Sequence, residues 1–97
     1  MQSVDLKYLE TQKGKLAIVF SAPWCKPCAA MKPNLEKLVP EYPGVEFVTI
    51  DVDANPDAAA LGIRGVPTIL FTNGGAELDR ITGNVPMQKV RDVLAKM

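Results

Sequence analysis

Ninety-seven residues, 47% of them hydrophobic, suit one compact domain over residues 1–97 and leave no room for a second. Eleven basic and eleven acidic side chains cancel. This removes the positive field that would recruit nucleic acid or an anionic membrane surface and favours neutral partners, proteins above all.

No apolar run approaches the roughly 20 residues of a membrane span, and residues 1–7 lack the basic flank and apolar core of a signal peptide. The expected setting is the reducing cytoplasm, where a paired Cys-x-x-Cys cycles rather than staying oxidised.

In chain order, residues 3–12 place Val4, Tyr8 and Leu9 on one side with Leu6 adjoining, which predicts a short helix ending near Gly14. Leu16-Ala17-Ile18-Val19-Phe20 is an unbroken apolar run, the pattern of a central strand covered on both faces. From Lys26, the residues Cys28, Met31, Leu35, Leu38 and Val39 recur at helical spacing opposite Lys32, Glu36 and Lys37. They predict an amphipathic helix, kinked at Pro33 and ended by Pro40, Pro43 and Gly44.

Residues 45–52 read as a β-branched second strand, completing a right-handed parallel βαβ unit. Asn55-Pro56-Asp57 predicts a capped short helix that Gly62 stops. Residues 68–72 and 77–82 flank Asn73-Gly74-Gly75 as an antiparallel hairpin, so the sheet is mixed. Pro86 opens a last helix with Met87, Val90, Val93, Leu94 and Met97 on its apolar stripe. Asp51, Asp53 and Asp57 read as a strand end and helix cap, since the Gly and distal Glu of an EF-hand are missing.

Trp24-Cys25-Lys26-Pro27-Cys28 holds both cysteines of the chain. Cysteines at i and i+3, the second inside a starting helix, can close a small disulfide ring beside unpaired helix N–H donors. That is a redox arrangement, because so short a ring removes little entropy from the unfolded chain. Half of a zinc or iron–sulfur site is the rival reading. With no His and no third Cys, completing such a site would take carboxylates, an external thiol or a second subunit, so no metal and no bound cofactor is expected.

The element order, with Trp-Cys-x-Pro-Cys at the first strand–helix junction, resembles a thioredoxin over nearly the whole chain. Three separated segments carry the resemblance: Phe20-Ser21-Ala22-Pro23-Trp24-Cys25-Lys26-Pro27-Cys28, Asp51-Val52-Asp53-Ala54-Asn55-Pro56 and Gly62-Ile63-Arg64-Gly65-Val66-Pro67-Thr68. Gly83 falls where the family keeps a glycine lining the substrate groove.

The resemblance implies an α/β thioredoxin fold with a mixed four-stranded sheet flanked by helices, its N-terminal edge strand missing or vestigial. It places residues 45–52 at one edge and 77–82 at the other. It also implies a monomeric protein-disulfide reductase with a redox-active Cys25–Cys28 disulfide, acting on protein disulfides and recharged by an NADPH-dependent flavoprotein thioredoxin reductase. Two other roles stand beside it: a redox-independent structural or binding subunit of a larger assembly, and a glutaredoxin-like, glutathione-dependent reductase.

Cys25, just ahead of the helix, is the expected nucleophile, and the more buried Cys28 the resolving thiol. Pro27 fixes φ where the helix has no partner for an N–H. By resemblance the Val66–Pro67 bond is cis, the Val66 backbone pairs with substrate, and Trp24, Gly65, Pro67 and Gly83 supply a shallow apolar surface. Arg64 is a solvated charge at its edge.

Two departures mark this chain. Val19 stands where thioredoxins usually bury an aspartate beneath the cysteines, and Thr49 stands where a lysine accompanies that aspartate. The loss is paired, so no unpartnered charge is left buried.

Lys26 replaces a usual glycine, and its charge favours the Cys25 thiolate. At about 6 Å and an effective dielectric near 60 the attraction is about 1 kcal/mol before screening. Allowing for partial ionisation, this predicts a potential raised by about 10–20 mV, so Lys26→Gly should make the couple more reducing by that amount in a redox titration. A more oxidising variant refutes the sign.

Overall fold

A computed structural model describes residues 1–97. Its centre is strand β2 (Lys15–Ser21), whose Leu16 to Phe20 are all buried. Side chains alternate across a strand, so an unbroken apolar run needs a layer on each face, and both layers are present. On one side Ala17 and Val19 pack with Met31, Leu35 and Leu38 of helix α2 (Lys26–Leu38) and Val90 and Leu94 of helix α3 (Met87–Leu94). On the other, Leu16, Ile18 and Phe20 pack with Ala58 and Ile63, and helix α1 (Leu6–Thr11) lays Leu6, Tyr8 and Leu9 against them. No helix is long and apolar enough to cross a membrane.

Strand β3 (Val45–Asp51) runs parallel to β2 with Val19 directly opposite Thr49. Strands β4 (Thr68–Asn73) and β5 (Ala76–Thr82) complete the sheet antiparallel, as the hairpin reading predicts. Gly74 and Gly75 both take positive φ, at 61° and 87°, the conformation of the two-residue turn whose twist matches the strands it joins.

The sheet has five strands rather than four. Strand β1 (Gln2–Ser3) pairs parallel with β3 at Val48 and Thr49, giving the order β1-β3-β2-β4-β5. The edge strand is vestigial rather than missing, and β3 is covered at mid-length instead of forming the edge. Two residues carry too little side-chain pattern to reveal a strand, and the β3 backbone supplies the pairing. Because Ser3 belongs to this strand, α1 starts later than the apolar pattern suggests, capped by the Asp5 carboxylate on the Tyr8 N–H (3.0 Å).

A second correction concerns Asn55, whose side chain does not cap the helix that follows it. Its side chain donates to the Asp51 carbonyl (3.0 Å) and accepts from the Leu6 N–H (3.2 Å), tying α1 to the end of β3. The following segment, Pro56–Leu61, is a 3₁₀ helix without a side-chain cap. Helix α2 continues past Pro33 and passes into a 3₁₀ turn at Val39–Glu41.

Arg91 of α3 donates two hydrogen bonds to the Glu41 carboxylate, at 2.5 and 3.0 Å, pinning the end of the α2 segment to α3. The guanidinium, chiefly through these bonds, holds the Glu41 carboxyl below its ordinary 4.5. A carboxyl lowered on folding stabilises the fold above its unfolded value and ceases to do so as pH falls through its folded value. The melting-temperature advantage of the wild type over Glu41→Gln should therefore be present at pH 6 and vanish in acid below the ordinary value. An advantage independent of pH refutes the pairing as its source.

Candidate active site: the disulfide at the start of helix α2

At the end of β2 the chain turns through Ala22, Pro23 and Trp24, and the Cys25 N–H closes the turn on the Ala22 carbonyl (3.1 Å). Cys25 has extended backbone (φ −86°, ψ 102°) and is the N-cap of α2, the role more often filled by an oxygen side chain. Its sulfur accepts the Cys28 N–H at 3.2 Å, and its carbonyl receives the Ala29 N–H. Pro27 occupies the first turn, where a missing N–H leaves no gap in the helix ladder. Lys26 is the first helical residue and is exposed.

Cys25 and Cys28 are joined as a disulfide with their Cα atoms 5.3 Å apart. The expected order of burial is not found: Cys25 is 5% exposed and Cys28 8%. Val52 and Val66 pack against the cluster that both cysteines form with Ala22, so neither residue stands clear of the surface. What distinguishes the two sulfurs is position on the helix. Cys25 lies at its positive end and accepts an N–H there, while Cys28 lies one turn in.

The Val66–Pro67 bond is cis and Pro67 is fully buried. The Gly83 N–H donates to the Pro67 carbonyl (2.8 Å), and the Thr68 hydroxyl donates to the Gly65 carbonyl (2.7 Å). Trp24, Gly65 and Val66 line one surface hollow of about 150 Å³ together with Val52, Ile63 and Arg64. Val66 thus joins the two groups, packing against the cysteines and lining the hollow with Trp24 and Gly65; Pro67 follows it in the chain, Gly83 is reached through the Pro67 carbonyl, and Lys26 is exposed on the first turn of α2.

Sequence reasoning missed Asp53. Trp24 is 66% exposed, and its indole N–H is held by the Asp53 carboxylate at 2.9 Å. Asp53 is in turn placed by its own N–H donating to the Asp51 side chain (2.8 Å). Asp51 and Asp53 therefore brace the tryptophan rather than only ending a strand. Twenty-nine residues separate Trp24 from Asp53, and nothing local in either segment announces the contact.

Beneath the disulfide lies a cavity of about 200 Å³ lined by Cys25, Cys28, Val19, Thr49, Ser21 and Lys32, among others. Val19 and Thr49, paired across β2 and β3, both face it. No carboxylate lines it.

The family model for thioredoxin matches residues 6–96. The chain belongs to the thioredoxin family. It is 40% identical over 83 residues to the mitochondrial thioredoxin-3 of Saccharomyces cerevisiae, a match covering 84% of this chain and 65% of the yeast protein. Against the thioredoxin of Staphylococcus haemolyticus it is 34% identical over 87 residues, covering 88% of this chain and 84% of that one.

Among solved structures, the oxidised yeast thioredoxin 3 superposes with a TM-score of 0.91 at 32% identity, covering 100% of this chain and 95% of that one. Fasciola hepatica thioredoxin superposes at 0.86 with 34% identity, covering 99% and 98%. With a disulfide-forming Cys-x-x-Cys in place, this thioredoxin is a thiol–disulfide oxidoreductase.

A thioredoxin without an acidic group in this cavity has no side-chain base beside Cys28. Val19→Asp should speed resolution of a mixed disulfide by about a hundredfold at pH 7, at the low end of general-base effects. The variant should lose about 2 kcal/mol of stability from a buried carboxylate that only the exposed Lys32 ammonium can answer, which Val19→Asp with Thr49→Lys recovers in part. Unchanged turnover with an unchanged pH profile in the single variant sinks the idea.

Proposed function

We propose that this thioredoxin reduces protein disulfides with Cys25 as the attacking sulfur and Cys28 as the resolving one. The observation that supports the polarity is the Cys28 N–H donated to the Cys25 sulfur at the start of α2. A thiolate gains more from an N–H and a helix N-terminus than a neutral thiol does, so Cys25 carries the larger thiolate fraction in the reduced protein.

In the first step the Cys25 thiolate attacks one sulfur of a substrate disulfide. A Cys25–substrate disulfide forms, the substrate bond breaks and one substrate thiolate leaves. Cys28 then gives up its proton to water or to the departing thiolate, and its sulfur attacks Cys25. The Cys25–Cys28 bond closes and the second substrate thiolate departs. The substrate has gained two electrons and the protein has lost them.

In this reading the buried cis Pro67 braces the site, and the Val66 backbone takes an extended substrate segment by strand-like pairing, with Trp24, Gly65 and Gly83 around it. Backbone pairing reads little side-chain sequence, which fits a broad range of protein substrates. Lys26 and Pro27 tune the pair. Recharging needs a two-electron donor. An NADPH-dependent flavoprotein reductase supplies it in this reading, and the reducing cytoplasm is the site of action for a monomeric protein.

Cys28→Ser should accumulate a stable mixed disulfide with a model protein substrate, and Cys25→Ser should form none. Wild-type turnover should be sustained by NADPH with a flavoprotein thioredoxin reductase. Trapping by Cys25→Ser instead reverses the polarity, and turnover sustained by glutathione alone refutes the donor.

A further inference from the structure

Strand β5 pairs with β4 out of simple step. Phe71 faces Asp79 and Thr72 faces Glu77, so Leu78 is an extra residue without a partner. In a regular strand, residues three apart point to opposite faces. The bulge resets the alternation. Glu77 and Arg80 are opposite Thr72 and Leu70, which lie two apart on β4, and so they share one face. That face is the one on which Leu70 packs with Ala58 and Ile63, beside the 3₁₀ helix Pro56–Leu61.

There the Arg80 guanidinium spans three partners. It donates to the Leu61 carbonyl at 2.8 Å and to the Gly62 carbonyl at 3.1 Å. It is also gripped by the Glu77 carboxylate through two bonds of 2.9 and 3.1 Å. The two carbonyls end the 3₁₀ helix, where unpaired acceptors suit a cation. Gly62 fits the clamp twice over: its φ is +78°, and a Cβ on it would stand 3.2 Å from Arg80 Nη1. Four residues later the chain reaches Val66.

The segment from Gly62 to Pro67 is thus tied at three places: at its start by Arg80, at Gly65 by the Thr68 hydroxyl, and at Pro67 by the Gly83 N–H. Thr68 and Gly83 act at the groove itself. Arg80 acts from the far end, without contact to the cysteines or to the hollow beside Trp24.

We infer that Arg80, aimed by the β5 bulge and braced by Glu77, is a positioning residue that holds the Gly62–Val66 segment in the conformation a protein substrate pairs with. The inference rests on the proposed reading of the Val66 groove. A loop ordered before binding costs the complex less on association, so the clamp governs substrate affinity and leaves the chemistry of the disulfide untouched.

Steady-state reduction of a model protein disulfide, and reduction of the Cys25–Cys28 disulfide by dithiothreitol, separate the two effects. Dithiothreitol is too small to need the groove. Arg80→Gln should raise KM for the protein disulfide about fivefold, with kcat and the dithiothreitol rate within about 1.5-fold of wild type. Glu77→Gln should raise KM about twofold in the same pattern. Arg80→Lys, which keeps the charge but cannot span two carbonyls and a carboxylate together, should fall between wild type and Arg80→Gln.

An unchanged KM in Arg80→Gln overturns the clamp, as does a dithiothreitol rate that falls in proportion to kcat/KM. Trp24→Ala in the same assay shows which reading has failed. If it raises KM while Arg80→Gln does not, the clamp alone is wrong; if neither moves KM, the groove reading falls with it. Should Arg80→Gln fail to fold, Glu77→Gln and Arg80→Lys decide by the same split.

Discussion

In the proposed mechanism the difference between the two sulfurs depends on one hydrogen bond, from the Cys28 N–H to the Cys25 sulfur at the start of α2. It places a polarisable sulfur where a helix concentrates unpaired donors, and it does so only while α2 stays seated. The seat is apolar: Met31, Leu35 and Leu38 pack with Ala17 and Val19 of β2 and with Phe47 of β3. The same β2 leads directly into the turn that delivers Cys25, whose N–H is taken by the Ala22 carbonyl. A core interaction and a catalytic interaction are thus in series, and loosening the first releases the second.

The other wall of the site is a loop, and loops hold a geometry only when tied. Here hydrogen bonds tie the segment that precedes β4 from three elements: β4 itself through Thr68, the residue after β5 through Gly83, and the body of β5 through Arg80. Trp24 is tied in turn by Asp53 from beyond β3. An exposed tryptophan free to rotate would lose entropy when a partner docks, and the carboxylate removes part of that cost beforehand. The surface around the disulfide is therefore set by four strands, although most of its residues lie in connections.

Beneath the disulfide the chain departs from its relatives' usual chemistry. Val19 and Thr49 are cross-strand neighbours and share a cavity with both cysteines. A carboxylate and an ammonium in such a place would have to be kept or lost together, because either alone would be an unpartnered charge. A valine and a threonine need no partner, so neither strand contributes a charge to the cavity. The charges near the sulfurs are then cationic: the N-terminus of α2 with Lys26 beside it, and Lys32, which lines the cavity with both cysteines.

Much of this was legible in the sequence because it is local. The apolar run of β2 required two covering layers, the spacing of Met31, Leu35 and Leu38 defined one face of α2, and two cysteines in one turn defined the chemistry. The family segments added the cis bond before Pro67, and the paired loss at Val19 and Thr49 could be read even before the two were seen to face each other. Tertiary structure decided what depends on residues distant in sequence: the two-residue β1 held by the β3 backbone, Asn55 bridging to α1 instead of capping its own helix, Asp53 on Trp24, and the near-equal burial of Cys25 and Cys28. The bulge in β5 belongs with these, since an extra residue leaves no mark on composition and becomes visible only against the strand it pairs with. Periodicity records which face of an element is buried; which partner a polar side chain finds is a matter of three-dimensional proximity, and no one-dimensional pattern carries it.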